Sequence, residues 1–158
     1  MRATTDLYDD FEETCETCSV QFRDFGGRKR FFGRIRTVRC FHDNVLFRQI
    51  LNEPGEVGVI VVDGGGSTAI ALMGDKLAAR GRDNGWSGVI INGAIRDSAE
   101  IAGIDIGVKA LGVNPAKSEK KGEGETDVEL EFGGVTFRPG DWAYCDEDGI
   151  LLSPEQIE

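Results

Sequence analysis

The segment Val57-Gly58-Val59-Ile60-Val61-Val62 is an almost continuous β-branched run. Such a run is typical of a strand in a parallel sheet that is covered on both faces. The pattern returns at Gly88-Val89-Ile90-Ile91-Asn92-Gly93, and the intervening residues Ser67–Asn84 read as helical with an interruption at Gly74. A strand, a helix and a second strand of these lengths predict a right-handed βαβ unit.

The flanking sequence extends this unit in both directions. Before it, the spacing of apolar residues predicts a helix over 5–18, a strand over Phe32–Phe41 and a helix over Asn44–Glu53. After it, we expect a short helix from Asp97 or Ser98 and a strand over Ile106–Val113. Short strands separated by glycine turns then predict antiparallel hairpins at Val128–Phe132, Val135–Phe137, Trp142–Cys145 and Ile150–Leu152. The sequence therefore predicts one α/β domain over residues 1–158, with a central βαβ unit and C-terminal antiparallel hairpins.

Charge and hydropathy restrict the classes of partner. The chain carries 28 acidic and 18 basic residues and has a formal net charge of −10. This balance disfavours direct nucleic-acid binding, which requires cationic groups facing phosphate. No apolar run approaches the roughly 20 residues that cross a bilayer, so no membrane partner is expected. The N-terminus lacks the apolar core of a signal peptide, and we expect a cytoplasmic protein.

Cysteine and histidine usage argues against zinc and against nucleophilic catalysis. The chain has four cysteines and one histidine, His42. Cys15 and Cys18 fall in the predicted first helix without a second such pair, whereas a zinc site needs about four ligands. Cys40 and Cys145 lie in strand-like runs and are expected to be buried free thiols. No Ser–His or Cys–His pair is expected around the single histidine.

The stretch Gly74-Asp75-Lys76-Leu77 is the first candidate site. Glycine inside a helix costs about 1 kcal/mol, so a break at Gly74 with a new helix starting near Asp75 is the better interpretation. The free N–H groups and the dipole at such a helix start attract a carboxylate. The alternative is that Asp75 merely caps its own helix.

The second candidate site is Arg96-Asp97, which follows the second buried strand. Ligands in open α/β sheets gather beyond the carboxyl ends of the strands. There an arginine can grip a carboxylate through two hydrogen bonds, and an aspartate can hold Mg²⁺ or Mn²⁺. In the alternative interpretation, Asp97 caps the helix Ser98–Ala102 and Arg96 forms a surface ion pair. The nearby run Lys117, Lys120 and Lys121 is either a solvated charge cluster or a loop that closes on an anion.

Several motifs along the whole chain resemble those of the RraA family, named for the regulator of ribonuclease activity A. In chain order they are Phe25-Gly26-Gly27-Arg28, Cys40-Phe41-His42-Asp43-Asn44, Val61-Val62-Asp63-Gly64-Gly65-Gly66-Ser67, Gly85-Trp86-x-Gly88, Gly93-Ala94-Ile95-Arg96-Asp97, Asp105-Ile106-Gly107 and Phe132-Gly133-Gly134-Val135. The resemblance implies a β/β/α sandwich similar to the swivelling phosphohistidine domain. It also implies a homotrimer or a dimer of trimers with active sites between subunits.

The resemblance also implies roles for the candidate residues. The family contains metal-dependent 4-hydroxy-4-methyl-2-oxoglutarate aldolases that can decarboxylate oxaloacetate. In these, the turn matching Gly74–Leu77 binds the pyruvyl moiety through backbone amides, the position of Arg96 contacts the same moiety, and that of Asp97 supports the metal. We therefore expect Gly74, Asp75, Lys76, Leu77 and Arg96 to bind a small oxo-acid substrate. Arg96 and Asp75 are the expected catalytic residues, and Asp97 is the expected ligand of Mg²⁺ or Mn²⁺.

Two functions follow from these expectations. The first is a divalent-metal lyase that cleaves 4-hydroxy-4-methyl-2-oxoglutarate to pyruvate and decarboxylates oxaloacetate. The second is a non-catalytic acidic regulator that binds and inhibits ribonuclease E. Family members known as ribonuclease E inhibitors can lack the aspartate after the arginine, and this chain retains it as Asp97. That residue favours the enzyme.

Overall fold

A parallel sheet built from the β-branched runs forms the centre of the computed structural model, which describes residues 1–158. The helices are α1 (Thr4–Phe11), α2 (Val45–Leu51), α3 (Asp75–Asp83) and α4 (Ser98–Ile101). The strands are β1 (Glu16–Thr17), β2 (Arg23–Asp24), β3 (Phe31–Arg39), β4 (Val59–Asp63), β5 (Ala71–Met73), β6 (Gly88–Ile95), β7 (Gly107–Val113), β8 (Glu125–Thr126), β9 (Leu130–Phe132), β10 (Val135–Phe137), β11 (Trp142–Asp146) and β12 (Gly149–Ser153).

Strands β3, β4, β6 and β7 lie side by side in that order and run parallel. Successive residues of β4 point into two different cores, because side chains alternate across a strand. Ile60 and Val62 join the core under α2 and α3, whereas Val59 and Val61 join the core under the C-terminal strands. Helices therefore cover one face of the sheet and β-structure covers the other. The predicted α/β sandwich with a central βαβ unit is confirmed.

Strand β3 connects the two halves of the fold. Its first part, Phe31–Arg34, pairs antiparallel with β11, and its second part, Ile35–Arg39, pairs parallel with β4. Beyond β11 the sheet continues through β12 to β1. Strands β9 and β10 form a separate hairpin that packs on the same core. The predicted C-terminal hairpins are therefore present.

The ring of Phe31 explains two of the many glycines. A Cβ at Gly88 would lie 2.3 Å from this ring, and a Cβ at Gly107 would lie 2.1 Å from it. Both distances are far below van der Waals contact, so any side chain on β6 or β7 at these positions would displace the ring. The two glycines, which are paired neighbours on β6 and β7, therefore leave room for the ring of Phe31.

A buried carboxylate attaches the N-terminal helix to the sheet. Asp146, 1% exposed, accepts hydrogen bonds from the backbone N–H and the hydroxyl of Thr4, both at 2.7 Å. It also accepts one from Asp148 N–H at 3.0 Å. Burial raises the pKa of this carboxyl, but the hydrogen bonds outweigh burial and the pKa is lowered overall.

Two predicted helices were too long. The first ends at Phe11 instead of residue 18, because Cys15 and Cys18 pack into different cores, which a strand can do and a helix face cannot. The second begins at Asp75 instead of Ser67. Before it, β5 is fully buried and pairs in parallel with the end of β6. The predicted break at Gly74 is correct, but it separates a strand from a helix.

The four cysteines are free and buried, which confirms the expectation for Cys40 and Cys145. None of the helices combines the length and the apolar character needed to cross a bilayer.

Candidate functional site

The two candidate segments meet at the carboxyl edge of the parallel sheet. One leaves β5 and turns at Gly74 into α3, and the other leaves β6 and passes through Arg96 and Asp97 into α4. A hydrogen bond of 2.9 Å from Arg96 N–H to the carbonyl of Met73 joins them. The short strand β5, which sequence reasoning missed, therefore sets the position of the helix start relative to Arg96 and Asp97.

Asp97 points its carboxylate across to the start of α3. Its backbone is left-handed, with φ of 56°, a conformation that aspartate tolerates better than most residues. Oδ2 accepts a hydrogen bond from Asp75 N–H at 3.2 Å. Asp97 stands at the N-cap position of α4 but makes no side-chain cap there. The helix-cap alternative is therefore wrong for its own helix.

Gly74 allows this approach. Its backbone is extended, with φ of −120°, so no conformational reason requires glycine here. The reason is space, because a Cβ at this position would lie 2.6 Å from Asp97 Oδ2 and 3.5 Å from Arg96 Nε. Because Gly74 has no side chain, the carboxylate of Asp97 and the guanidinium of Arg96 can lie close to its backbone.

Asp75 is the first residue of α3, and its Oδ1 accepts a hydrogen bond from Lys76 N–H at 2.8 Å. In this arrangement the carboxylate of Asp75 occupies the anion position at its own helix start. The capping alternative for Asp75 therefore describes the observed contact. Lys76 N–H is therefore open to another acceptor only when Asp75 turns away from it.

Arg96 is half-buried and has no carboxylate partner. Its one side-chain hydrogen bond goes from Nη1 to the carbonyl of Pro115 at 3.5 Å. The surface ion pair considered from the sequence is absent. Most of the donors of this guanidinium are free to take a ligand.

These residues line a cavity of about 340 Å³. Its wall contains six basic side chains and two carboxylates, Asp75 and Asp97. The basic residues are Arg48, Lys76, Arg80, Arg96, Lys117 and Lys120. None of the six lies within 4.0 Å of a carboxylate oxygen. Unpaired cations concentrated in one concavity of a chain with net charge −10 indicate an anion site.

Lys120 shows the effect of this crowding. Its Nζ donates a hydrogen bond to Asn44 Oδ1 at 3.0 Å. Its pKa is lowered, first by burial and then by the positive charges of Arg48, Lys117 and Arg96. A bound anion would offset that repulsion. Lys117 and Lys120 are exposed and line the cavity, as the anion-loop interpretation requires, whereas Lys121 pairs with Glu119 at 3.2 Å on the surface.

The fit of a divalent metal depends on Asp97. The structure brings together no group of three or more His, Cys, Asp or Glu side chains that could hold a metal ion by themselves. Mg²⁺ is commonly held by one or two carboxylates, with water and substrate oxygens completing the shell. Asp97, with Asp75 beside it, fits that mode of binding.

A serine–histidine contact contradicts the sequence expectation. His42 Nε2 lies 2.7 Å from Ser67 Oγ, across 25 residues of chain. Proximity in sequence could not reveal it, because the two residues follow different strands that end at the same edge. Neither residue lines the basic cavity. No carboxylate is hydrogen-bonded to the other ring nitrogen, so the pair lacks the orienting group of a catalytic triad.

A larger cavity of about 760 Å³ lies near the start of β4 and contains none of the candidate residues. Most of the arginine side chains in its wall are paired with carboxylates. Arg28 pairs with Asp105, Arg30 with Glu147, and Arg36 with two carboxylates. Size alone therefore does not identify the site in this chain.

Comparison with known proteins agrees with the motifs. The RraA-like family profile, Aldolase/RraA, matches residues 4–152. The chain belongs to the RraA family. A protein of Alkalilimnicola ehrlichii, provisionally named a 4-hydroxy-4-methyl-2-oxoglutarate aldolase, is 57% identical over 154 residues, which are 98% of this chain and 96% of that protein.

Two solved structures are also similar over nearly their full length. One is described as the RNA-processing inhibitor RraA from Thermus thermophilis, with a TM-score of 0.96 and 47% identity over 100% of this chain and 96% of that one. The other is described as an S-adenosylmethionine:2-dimethylmenaquinone methyltransferase from Geobacillus kaustophilus, with the same TM-score and identity over 99% and 97%. The proteins to which this chain is similar thus carry three different functional names.

Proposed function

We propose that this RraA-family protein is a divalent-metal-dependent lyase that cleaves 4-hydroxy-4-methyl-2-oxoglutarate to pyruvate and decarboxylates oxaloacetate. The observation that carries the proposal is the cavity in which six unpaired cations surround Asp97 at the start of α3. Both substrates are dianions that contain a 2-oxo acid. The name of the Alkalilimnicola relative supports the same reaction.

The 2-oxo acid end of the substrate belongs at Arg96. A guanidinium with free donors can bind a carboxylate through two hydrogen bonds and can stabilise negative charge that develops on the adjacent oxygen. Asp97 is the residue that would hold Mg²⁺ or Mn²⁺. Once bound, such an ion supplies Lewis acidity toward the 2-oxo group. The backbone N–H groups of Lys76 and Leu77 at the helix start complete the subsite for the carboxylate.

The distal carboxylate belongs at Lys120, Arg48 and Lys117, which line the same cavity as Arg96. The pKa of Lys120 is lowered first by burial and then by repulsion from the positive charges of Arg48, Lys117 and Arg96. A dianion relieves that repulsion and a monoanion relieves less of it. The cavity therefore favours substrates with carboxylates at both ends.

Asp75 is proposed to orient a water after it leaves Lys76 N–H. An ionised carboxylate accepts hydrogen bonds only, so it can fix the orientation of a water that exchanges protons with the substrate. Aldol cleavage requires that a proton leave the substrate hydroxyl. Decarboxylation requires no such base, so it should be the more tolerant of the two activities.

The decisive experiment is an oxaloacetate decarboxylation assay with Mg²⁺ or Mn²⁺, with and without a chelator. We expect pyruvate to form faster with protein and metal together than with the metal alone, and the effect of the protein to disappear with the chelator. A rate no higher than that of the metal without protein would refute the decarboxylase activity. A parallel assay with 4-hydroxy-4-methyl-2-oxoglutarate tests the aldol cleavage.

A second candidate function is binding and inhibition of ribonuclease E. It is favoured by the similarity to the Thermus RNA-processing inhibitor and is compatible with the net charge of −10. A pull-down and an RNA-cleavage assay with purified ribonuclease E would test it. Inhibition by a variant that lacks lyase activity would show that the two functions are separate.

A further inference from the structure

Asp43 is a buried carboxylate that joins two parts of the wall of the basic cavity. It is 1% exposed and precedes helix α2. Its Oδ1 accepts a hydrogen bond from Val45 N–H at 3.0 Å, which fixes the helix start. Its Oδ2 accepts hydrogen bonds from Lys121 N–H at 2.7 Å and from Glu123 N–H at 3.4 Å, in the loop that carries Lys120.

Further contacts hold the same loop at the same place. Glu119 N–H donates to the carbonyl of His42 at 2.8 Å, and Ser118 Oγ donates to the carbonyl of Ala71 at 2.6 Å. The ammonium of Lys120 then meets Asn44, the residue next to Asp43. Among these contacts, Asp43 is the one ionised side chain that binds both α2 and the loop. Arg48 of α2 and Lys120 of the loop are therefore placed relative to each other through Asp43.

We propose that Asp43 is a positioning residue for the distal carboxylate of the substrate. It does not line the cavity and would touch no substrate. It acts by holding the loop that carries Lys120 against the start of α2, so that Lys120 and Arg48 are already close together before an anion binds. This role rests on the proposed lyase function, whose substrates carry that second carboxylate.

The physical basis is pre-organisation. A free lysine side chain loses conformational entropy when it is fixed, and ordering a loose loop costs backbone entropy as well. Like charges also push apart unless something holds them. The backbone hydrogen bonds outweigh burial and lower the pKa of Asp43, so the anchor stays ionised at neutral pH.

The test uses the variants Asp43→Ser, Lys120→Met and their combination. Serine keeps a cap for Val45 N–H but is too short to reach Lys121 N–H, so helix α2 keeps its start and the loop is released. We expect Asp43→Ser to raise KM for oxaloacetate with Mg²⁺ about tenfold and to change kcat less than about threefold, as expected for a misplaced binding group. When Lys120 is already replaced by methionine, adding Asp43→Ser should raise KM little further, because the cation that Asp43 positions is then absent.

Asp146→Ser is the matched control. Asp146 is equally buried and accepts hydrogen bonds from two backbone N–H groups, but the residues that it binds, Thr4 and Asp148, lie far from the cavity wall in the chain and do not line it. This variant should lower Tm and leave KM unchanged. Hydrogen exchange at Lys121 and Glu123 should quicken in Asp43→Ser and not in the control.

A binding experiment separates this proposal from the lyase proposal. Calorimetry with Mg²⁺ compares malate, which carries a distal carboxylate, with lactate, which does not. Asp43→Ser should weaken malate about tenfold and leave lactate unchanged, whether or not the protein turns over oxaloacetate. Equal losses for both ligands, or none for malate, would overturn the positioning role alone. Wild-type protein that neither decarboxylates oxaloacetate nor prefers malate would overturn both proposals.

Discussion

Gly74 and Asp97 illustrate how one missing side chain shapes the candidate site. Glycine at position 74 is required by the carboxylate opposite it and not by its own backbone angles. An alanine at position 74 would therefore fit the backbone conformation, but its Cβ would clash with the carboxylate of Asp97. The first prediction follows from this difference.

Gly74→Ala should move the carboxylate of Asp97 and reduce metal-dependent lyase activity at least tenfold, because displacement of a catalytic group by about 1 Å can cost about a hundredfold. Helix α3 should remain, since alanine can adopt the extended backbone of position 74, which is the N-cap of the helix. Steady-state kinetics and circular dichroism measure the two effects. Unchanged kinetics would show that the position of Asp97 does not matter for the reaction.

Asp97→Ala and Asp97→Asn should each abolish metal-dependent activity while the fold is retained. Asparagine keeps the shape and removes the charge, so it separates metal binding from packing. In Asp97→Ala the loss of the hydrogen bond from Asp75 N–H should lower the free energy of unfolding by about 1 kcal/mol, as for a helix cap, whereas asparagine can still accept that bond through its side-chain carbonyl. Activity assays and denaturant titration measure both quantities. Full activity in both variants would remove Asp97 from the metal site.

Arg96→Lys should lose much of the rate although the charge is kept. An ammonium cannot reproduce the planar pair of hydrogen bonds that a guanidinium makes with a carboxylate. The change should appear in kcat/KM for oxaloacetate. A lysine variant that matches the wild type would show that Arg96 acts through its charge alone.

At the scale of secondary structure, the short elements were the ones that could not be predicted from the sequence. The buried strands around Val59–Val62 and Gly88–Gly93 were predictable because their patterns are long and continuous. Strand β5 has three residues, and its pairing with β6 is a tertiary contact that no local pattern encodes. The break at Gly74 was visible because glycine interrupts a helical pattern.

The same reasoning applies to the candidate site. Gly74–Leu77, Arg96 and Asp97 could be found because they follow strand ends, and the structure brings them together in one cavity. Arg48 and Arg80 could not, since each is an ordinary charged residue on a helix surface. Their membership depends on how α2 and α3 pack. That packing is set by apolar residues elsewhere in the helices.

The attachment of helix α1 through Asp146 predicts an acid-sensitive stability. The folded-state pKa of Asp146 is lowered, so its contribution is complete above the ordinary carboxyl pKa of about 4 and is lost as the pH falls through the folded-state value. Asp146→Asn should therefore have a lower Tm than the wild type at pH 7, and the difference should shrink below about pH 4. Calorimetry across this range measures it. A difference independent of pH would assign the effect to packing.

At the scale of the whole molecule, we predict a homotrimer or a dimer of trimers, as the family resemblance implies. Phe41 and Val113 remain 64% and 48% exposed near the carboxyl edge that holds the cavity, and contact between subunits would cover such residues. Light scattering should give about three times 17.2 kDa, or twice that mass. A fully active monomer would require every catalytic group to come from one chain.

Strand β3 also decides when the chain can finish folding during synthesis. Its second part pairs with β4, which leaves the ribosome soon afterwards, but its first part pairs with Trp142–Cys145, more than a hundred residues later. Until then the edge of Phe31–Arg34 has no partner. The nascent chain can therefore assemble the parallel half, with the cavity residues, before the antiparallel half exists. The sheet is complete only when Trp142–Cys145, near the end of the chain, pairs with Phe31–Arg34. Until that pairing forms, the unpaired edge of β3 could bind other chains and must be protected from them.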